Sequence, residues 1–308
     1  MNNYDATMAT IKGEVTGEAL ISLWRHYPDH DLIIDDLVER TVQDYQKYPS
    51  DVVKLSPNGR YCVVDFGCEI SKGTTEPKSS GSSSCKQCIV KTPKDWLKIE
   101  EIDPLDGHYG EQIDFVRKVS NRITASPIMM TVFAPTMVAR KLSGNQLLSH
   151  FRDTHKQELL EALKTIEKVT IEYARACLDA GATGLFIAIQ EADKANINSK
   201  VEAESILKYN EKFILTVNRD AEFTVNHIHG DDTYFEEAIG NNKTTAINWH
   251  DQTSEIDIQT ARKTFKGGLF GGLDPLKVFE GYQDSFYDKM LNLKDEVPLI
   301  LAPGCVLL

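Results

Sequence analysis

The sequence predicts a single (β/α)8 barrel, because short apolar segments alternate with amphipathic helices along its 308 residues. A segment at 61–66 is either an eighth strand or part of a hairpin, since Asn58-Gly59 before it is a strong turn signal. The alternative fold is a doubly wound open sheet, but no Gly-x-Gly-x-x-Gly sequence follows the first strand. Seven other segments have the apolar character of buried parallel strands, at positions 52–55, 127–133, 184–189, 223–228, 244–248, 268–271 and 297–301.

The helices are predicted from apolar residues that recur at three- and four-residue spacing. Residues 35–45 are an example, because Leu37, Val38 and Val42 fall on one face of a helix. Gly181 follows the longest predicted helix and is a suitable C-terminal cap. The helices at 17–24 and 35–45 precede the barrel, and the others are at 110–123, 147–151, 158–180, 201–216, 256–265 and 278–291.

Residues 72–94 break this pattern with a run rich in Gly, Ser, Thr, Pro and Lys, which predicts a long mobile loop that acts as a lid. The loop carries a Cys-x-x-Cys sequence formed by Cys85 and Cys88. One such pair is weak evidence for zinc, because the second pair of a zinc ribbon is missing. A redox role would place the motif at the start of a helix that follows a strand. The remaining interpretation is two free thiols in a loop.

The composition is typical of a soluble globular protein, with 41% hydrophobic and 26% charged residues. The formal net charge of −12 argues against a nucleic-acid or anionic-membrane partner, which would need a basic surface. The chain has no apolar run of 18 residues, and its first residues lack the basic and apolar regions of a secretory signal. Six cysteines spread over the chain fit a reducing compartment. We therefore expect a cytoplasmic protein that acts on a small molecule.

Small, polar or ligand-type residues follow nearly every predicted strand. Because the chemistry of a barrel lies at the carboxyl ends of its strands, these positions predict the functional site. They include neither a hydrolase nucleophile motif nor a phosphate-binding loop. The positions are Ser56-Pro57, Pro135-Thr136, Gln190-Glu191, His227 with His229, Trp249-His250-Asp251, Asp274-Pro275 and Gly304-Cys305.

His227 and His229 are two residues apart near the end of a predicted strand, so both imidazoles face the same side of the chain. Such a pair suits a metal ion, a carboxylate-rich substrate or a proton relay, and it equally suits two hydrogen-bonded structural histidines. Cys305 follows the last strand, and closure of the barrel would bring its thiol to the same mouth. The three side chains would then form a zinc site with a fourth position left for substrate. A buried structural cysteine is the alternative for Cys305.

Several of these segments together resemble the uroporphyrinogen decarboxylase superfamily. Each segment alone is unspecific, but together they span most of the chain in the order and spacing of that family. The resemblance implies a (β/α)8 barrel, leaves a homodimer open as the oligomeric state, and allows two chemistries. The segments are residues 24–26, 51–61, 65–67, 133–136, 227–230, 248–249, 272–275 and 302–305.

The first chemistry is the removal of acetate carboxylates from a porphyrinogen in porphyrin biosynthesis, which the family performs without a cofactor. In that branch an aspartate holds the pyrrole N–H groups and arginines hold carboxylates. The resemblance gives the first role to Asp65, the nearest substitute, and proton transfer to His227 or His229. Substrate binding would then fall to Arg25, Arg60, Arg140, Trp249 and His250.

The second chemistry is the transfer of a methyl group from a methylated corrinoid to a thiol. In that branch a zinc ion, held by His-x-Cys and a distant Cys, lowers the pKa of the thiol. His227 and Cys305 match this pattern, whereas His229 stands where the first cysteine should be.

We expect a uroporphyrinogen decarboxylase-like lyase that acts on a carboxylated tetrapyrrole, because the resemblance to it has the broadest coverage. The zinc-dependent methyltransferase is the alternative, and a barrel that binds a tetrapyrrole or corrinoid without turnover is the third hypothesis.

The sequence departs from the family pattern at several positions. The family's pair of closely spaced N-terminal arginines is absent, and Ser56-Pro57 replace its aspartate after the first strand. Val138-Ala139-Arg140 stand where the family has a tyrosine. The chain ends at Leu308, earlier than its relatives, which indicates a short gene or a truncated chain.

Overall fold

The computed structural model describes residues 2–75, 81–154, 156–240, 244–278, 281 and 283–307. Eight parallel strands in this part of the chain form one curled sheet, and helices cover its outer side, which confirms the predicted (β/α)8 fold class. A separate antiparallel pair consists of β3, just before the predicted lid, and β4, inside it. The strands are β1 Leu20–Ile21, β2 Val53–Leu55, β3 Glu69–Ile70, β4 Cys85–Gln87, β5 Ile128–Phe133, β6 Gly184–Ile189, β7 Phe223–Ile228, β8 Ala246–Trp249, β9 Gly268–Leu273 and β10 Leu299–Pro303.

The large sheet follows the order β1-β10-β9-β8-β7-β6-β5-β2, and every neighbouring pair is parallel. Its two ends are joined through Asp51, whose backbone N–H donates to the Ile21 carbonyl at 2.7 Å. The Asp51 carboxylate in turn accepts from the Ile21 N–H at 2.7 Å. The Ser22 hydroxyl adds a bond to the Val52 carbonyl at 2.8 Å. These contacts close the ring where β1 and β2 are too short to form a ladder of their own.

Helices follow most of the strands and pack on the outside of the sheet. The longest, α7, buries one face that includes Leu159, Ile166 and Tyr173. None of the helices in the described part of the chain is long and apolar enough to cross a membrane. The helices are α1 Asn3–Ile11, α2 Ile34–Lys47, α3 Tyr61–Val64, α4 Gly107–Ser120, α5 Pro135–Leu142, α6 Leu147–Arg152, α7 Lys156–Asp179, α8 Lys200–Leu207, α9 Glu211–Asp220, α10 Phe235–Gly240, α11 Ile258–Thr264 and α12 Asp284–Leu293, with 3₁₀ turns at Pro93–Lys98 and Lys208–Asn210.

Helix α1 closes the bottom of the barrel, where the strands begin. Ile11 is fully buried and belongs to one apolar cluster with Phe223, the first residue of β7. A Cβ atom on Gly268, the first residue of β9, would lie 2.6 Å from the Ile11 carbonyl oxygen, so only glycine permits this approach. Helix α1 therefore fills the end of the barrel at which the strands begin.

Two predicted elements were wrong near the N-terminus. The segment 17–24, predicted to be helical, instead contains strand β1. Its backbone forms hydrogen bonds with β10 and with Asp51, and these bonds replace those of a helix. The strand predicted at 61–66 is helix α3, whose first three residues, Tyr61 to Val63, are all buried. Asn58 does not form a hairpin, because its side chain accepts from the Arg60 N–H and leads into this helix.

The remaining predicted elements occur with shifted ends. The helix predicted at 201–216 is divided into α8, a 3₁₀ turn and α9. Residues 279, 280 and 282 of the helix predicted at 278–291 lie outside the described residues, and α12 begins at Asp284.

Candidate functional site

Four ligand-type side chains meet at the carboxyl ends of three strands. His227 lies on β7 and His229 follows it, His250 follows β8, and Cys305 lies two residues beyond β10. One nitrogen or sulfur atom of each lies within 4.8 Å of the corresponding atoms of the others. The structure therefore brings together the three residues that the sequence grouped, and it adds His250, which the sequence assigned to substrate binding.

The tautomer of His227 is fixed by a hydrogen-bond network on the neighbouring strand. The Asn248 side-chain nitrogen donates to the carbonyls of Phe270 at 2.9 Å and Pro303 at 3.1 Å. The Asn248 oxygen therefore faces His227 Nδ1, at 2.6 Å, and accepts its hydrogen. This leaves His227 Nε2 as the atom with a free lone pair. Its ring also stacks on Phe186 with a centroid distance of 5.1 Å, which restricts its rotation.

His250 is oriented by a carboxylate. Its Nδ1 atom lies 2.8 Å from Oδ1 of Asp231, which also accepts from the Thr253 hydroxyl at 2.5 Å. Its Nε2 atom is buried and has no hydrogen-bond partner within the described residues. A buried ring nitrogen without a partner, opposite a carboxylate on the other nitrogen, is the arrangement of a metal-ligating histidine.

His229 and Cys305 complete the cluster. His229 Nδ1 lies 3.8 Å from Cys305 Sγ. The carbonyl of Cys305 accepts from the Trp24 indole N–H, and this bond holds the loop after β10 against the interior. The donor set is therefore three imidazoles and one thiol, which fits a divalent metal of the zinc type.

Burial keeps the imidazoles of His227 and His229 neutral. It lowers the pKa of His227 well below its usual value, and the charges of His229 and His250 add to this effect. Burial, followed by the charge of His250, lowers the pKa of His229 to about 4. Burial raises the pKa of the Cys305 thiol, and the nearby charge of Lys54 partly offsets this rise. Neutral imidazoles are the form that binds a metal, so the cluster is prepared for an ion at neutral pH.

A cavity of about 320 Å³ lies beside the cluster and is lined by His227, His229 and Cys305. The charged groups on its other walls are all cationic. No carboxylate of the described residues lines it, although the whole chain carries a net charge of −12. The cavity therefore selects an anionic ligand. Its basic side chains are Lys54, Arg60, Arg140 and Lys141.

Two guanidinium groups in this cavity have donors to spare. Arg60 donates through Nε to the Ser83 carbonyl at 3.1 Å, and Arg140 donates through Nε to Asn145 Oδ1 at 3.2 Å. The Nη1 atoms of both arginines are buried and lack a partner within the described residues. They are available to an acidic group of a ligand.

A second approach to the cluster has the opposite charge. An open groove lined by Asp193, Asp231 and Asp232 reaches His229 and His250 from outside the cavity. The cluster thus separates a cationic interior cavity from an acidic outer groove.

The predicted lid lies over the cavity. Residues 76–80 lie outside the described residues, and the mobility of the loop stays a prediction. The Ser83 hydroxyl donates to Asn58 Oδ1 at 2.9 Å, which joins the lid to the segment after β2. Cys85 and Cys88 are joined by a disulfide, so the interpretation as two free thiols was wrong. Sequence spacing alone does not show whether two neighbouring thiols are oxidised.

Three predicted site residues lie away from this cavity. Asp65 accepts from the backbone N–H groups of His108 and Tyr109, both at 2.9 Å, and so caps α4. Arg25 is paired with Asp44 and faces a different cavity. Trp249 is buried, and its indole N–H donates to the Ile256 carbonyl at 2.6 Å. The decarboxylase role predicted for Asp65 has no support from this position.

Sequence reasoning missed the cationic side chains Lys54 and Lys141, and it missed His26, which lines the same cavity. A signal for Lys54 was present, because a lysine inside the apolar run 52–55 has no solvent to reach if the strand is buried. Lys141 lies on helix α5, and nothing in its local sequence distinguishes it from a surface lysine.

Comparison with known proteins agrees with this architecture. Residues 28–308 match the family model described as uroporphyrinogen decarboxylase (URO-D). A solved methyltransferase from Methanosarcina mazei superposes with a TM-score of 0.80 at 17% identity, covering 100% of this chain and 94% of that one. A B12-independent methionine synthase from Shewanella sp. W3-18-1, in complex with selenomethionine, gives a TM-score of 0.58 at 11% identity, covering 94% of this chain and 90% of that one. At these identities the structural likeness concerns the fold alone. No curated protein matches the chain.

Proposed function

The chain belongs to the uroporphyrinogen decarboxylase family, and from that premise we propose that it is a metal-dependent methyltransferase whose acceptor is a thiol with an anionic group. The observation that carries the proposal is the cluster of His227, His229, His250 and Cys305 at the carboxyl ends of the strands. A cofactor-free decarboxylase would have no use for three imidazoles and a thiol with their ligand atoms within 4.8 Å of one another. The likeness in fold to a methyltransferase is a second support.

One group of residues in the site would bind the metal, and another group would bind the acceptor. His227, His229, His250 and Cys305 would hold the ion, with Asn248 and Asp231 fixing the orientation of two of the imidazoles. Four protein ligands fill a tetrahedral zinc site, so the acceptor thiol would bind as a fifth ligand or in place of one of the four, and the ion would then lower the pKa of that thiol. With one thiolate and three neutral imidazoles, the site carries less negative charge than the family's pattern of one histidine and two cysteines. It is therefore expected to withdraw more electron density from the acceptor.

The acceptor would enter the cavity with its acidic group toward Arg60 and Arg140 and its thiol toward the cluster. The free Nη1 atoms of both arginines would bind that acidic group, and Lys141 would add positive charge nearby. Lid residue Ser83, which contacts Arg60, would exclude water from the bound acceptor. In the transfer itself the thiolate sulfur forms a bond to the methyl carbon, and the donor leaves with the electron pair of the broken bond.

A methylated corrinoid is the donor that the family resemblance implies. The test incubates the purified protein with methylcobalamin or a methylated folate and with 2-mercaptoacetate as the acceptor, and it measures the methyl thioether by mass spectrometry. Product that depends on bound metal is expected with one of the two donors. Absence of product with both donors, at full metal content, would contradict the proposal.

The decarboxylase remains a second candidate because of one observation, the cationic lining of the cavity. Lys54, Arg60, Arg140 and Lys141 would suit a substrate with several carboxylates as well as they suit an acidic thiol. Release of carbon dioxide from uroporphyrinogen, measured with protein freed of metal by a chelator, separates this candidate from the methyltransferase. Tight tetrapyrrole binding without release of carbon dioxide or methyl transfer would instead indicate a barrel that only binds its ligand.

A further inference from the structure

Lys54 is a buried amine that the proposed metal site does not use. It lies in the middle of β2, its side chain lines the cavity, and the residue is only 7% exposed. Its Nζ atom contacts the Ser56 hydroxyl at 3.2 Å and lies over the ring of Phe186 at 4.6 Å and that of Trp24 at 5.4 Å. Within the described residues no carboxylate pairs with it. Lysines are rarely buried without a counter-charge, so a buried lysine at this position indicates a functional side chain.

The surroundings of Lys54 favour the neutral amine. Burial lowers its pKa to about 7, and the nearby Cys305 opposes this effect only in part. The other titratable groups that respond to its charge are His26, from the segment after β1, and His227 on β7. A neutral amine in a desolvated pocket is a nucleophile, unlike a protonated lysine at the surface.

His26 lies in the wall of the same cavity and is a second residue to which the proposed methyl transfer gives no role. Its Nδ1 atom is buried and has no partner within the described residues. Burial, followed by the charges of Lys54 and Lys141, lowers its pKa to about 3, so its imidazole is neutral. A neutral imidazole in the wall of the same cavity can relay a proton from the amine nitrogen to the carbonyl oxygen, because one ring nitrogen takes up a proton as the other releases one.

We propose that Lys54 is the nucleophile of a second reactive site in the cavity, which captures the carbonyl group of an anionic aldehyde or 2-oxo acid as an imine. The Lys54 nitrogen forms a bond to the carbonyl carbon, and one amine proton passes to the carbonyl oxygen by way of His26. A second proton transfer from nitrogen to oxygen then releases water and leaves the carbon–nitrogen double bond. No oxidant or reductant is consumed. The acidic group of the ligand is held by the free Nη1 atoms of Arg60 and Arg140.

This inference goes beyond methyl transfer and does not rest on it. The experiment treats the purified protein, with its metal content unchanged, with glyoxylate and cyanoborohydride at pH 7 and maps the modified peptides by mass spectrometry. One carboxymethyl group on Lys54 is expected, at a lower glyoxylate concentration than surface lysines require. Modification spread over surface lysines with Lys54 untouched would overturn the proposal.

Three variants and one neutral ligand make the test more specific. Lys54→Arg keeps a long basic side chain but cannot form the imine, so the specific modification at position 54 should disappear. Lys164→Arg is the matched control, because Lys164 is an exposed lysine that pairs with Glu161 and does not line the cavity. It should be modified at Lys54 like the wild type, and a loss of Lys54 modification there would contradict the assignment. If Lys54→Arg fails to fold, the peptide map of the wild type decides alone.

The neutral aldehyde glycolaldehyde tests the anionic requirement. It should modify Lys54 about tenfold more slowly than glyoxylate, since one charge-assisted contact contributes roughly 1.4 kcal/mol. Equal rates would remove Arg60 and Arg140 from the ligand site. His26→Phe should slow trapping by glyoxylate without changing its final extent, and an unchanged rate would remove His26 from the proton path.

Discussion

His250 Nδ1 lies 2.8 Å from Asp231 Oδ1, and this contact leaves the buried Nε2 atom of His250 free beside three other ligand-type side chains. The carboxylate fixes both the tautomer and the ring orientation, so Asp231 contributes to metal affinity without touching the metal. Asp231 also lines the acidic outer groove, so the contact between His250 and Asp231 connects that groove to the metal site.

Asp231→Asn should weaken metal binding by about 10- to 100-fold, because the neutral amide orients the His250 imidazole less strongly than the carboxylate does. Chelator competition measures the change. Asp232→Asn is the matched control, because Asp232 pairs with Lys194 at 2.6 Å and makes no contact with the cluster. Equal metal affinity in the two variants would exclude Asp231 from the orientation of His250.

Asp65→Ala should lower the free energy of unfolding by about 1–2 kcal/mol, because the N–H groups at the start of α4 lose their acceptor. Urea denaturation measures the loss, and kcat should stay near that of the wild type. Asp106→Ala, which removes the other acceptor at this helix end, should give a comparable loss of stability. A large fall in kcat for Asp65→Ala alone would restore the catalytic role that the sequence suggested.

Lys54→Met should stabilise the protein near pH 6–7, and the gain should shrink as the pH approaches 10.5. The folded-state pKa of Lys54 is about 7, below its ordinary value of 10.5, so the unfolded chain binds the proton more tightly. The penalty of the buried charge is therefore fully present below pH 7 and disappears above pH 10.5. A shift of this size corresponds to a gain on the order of 3–5 kcal/mol at low pH. Urea unfolding of both proteins at several pH values checks it, and a gain independent of pH would show that the amine is not desolvated.

Arg140→Met should raise KM for an anionic thiol by about 10- to 100-fold, because a charge-assisted contact is lost on binding. The value of kcat should change little, since the arginine holds the acidic group and not the reacting sulfur. Arg25→Met is the control, because Arg25 pairs with Asp44 and does not line this cavity. A neutral thiol should show no difference between the two variants, and an equal rise in KM for both thiols would count against the anion site.

The strand pattern was readable from the sequence because buried parallel strands must be continuously apolar, as at 184–189 and 223–228. The same pattern gave the grouping of His227, His229 and Cys305, since strand ends in a barrel converge. Strand β1 was missed because it is held by partners far along the chain, β10 and Asp51, and not by its own residues. Asp65 was misassigned for a related reason: its contacts with the start of α4 depend on packing that local spacing does not encode.

The central claim is that His227, His229, His250 and Cys305 hold one divalent metal ion. Metal analysis of the protein after incubation with zinc and removal of free ions tests it most directly, with His227→Ala as the variant. His108→Ala is the matched control, since His108 is exposed and pairs with Glu111. The account predicts one ion per chain in the wild type and in His108→Ala, and none in His227→Ala. A wild type without metal, or a His227→Ala variant with the same content as the wild type, would contradict it.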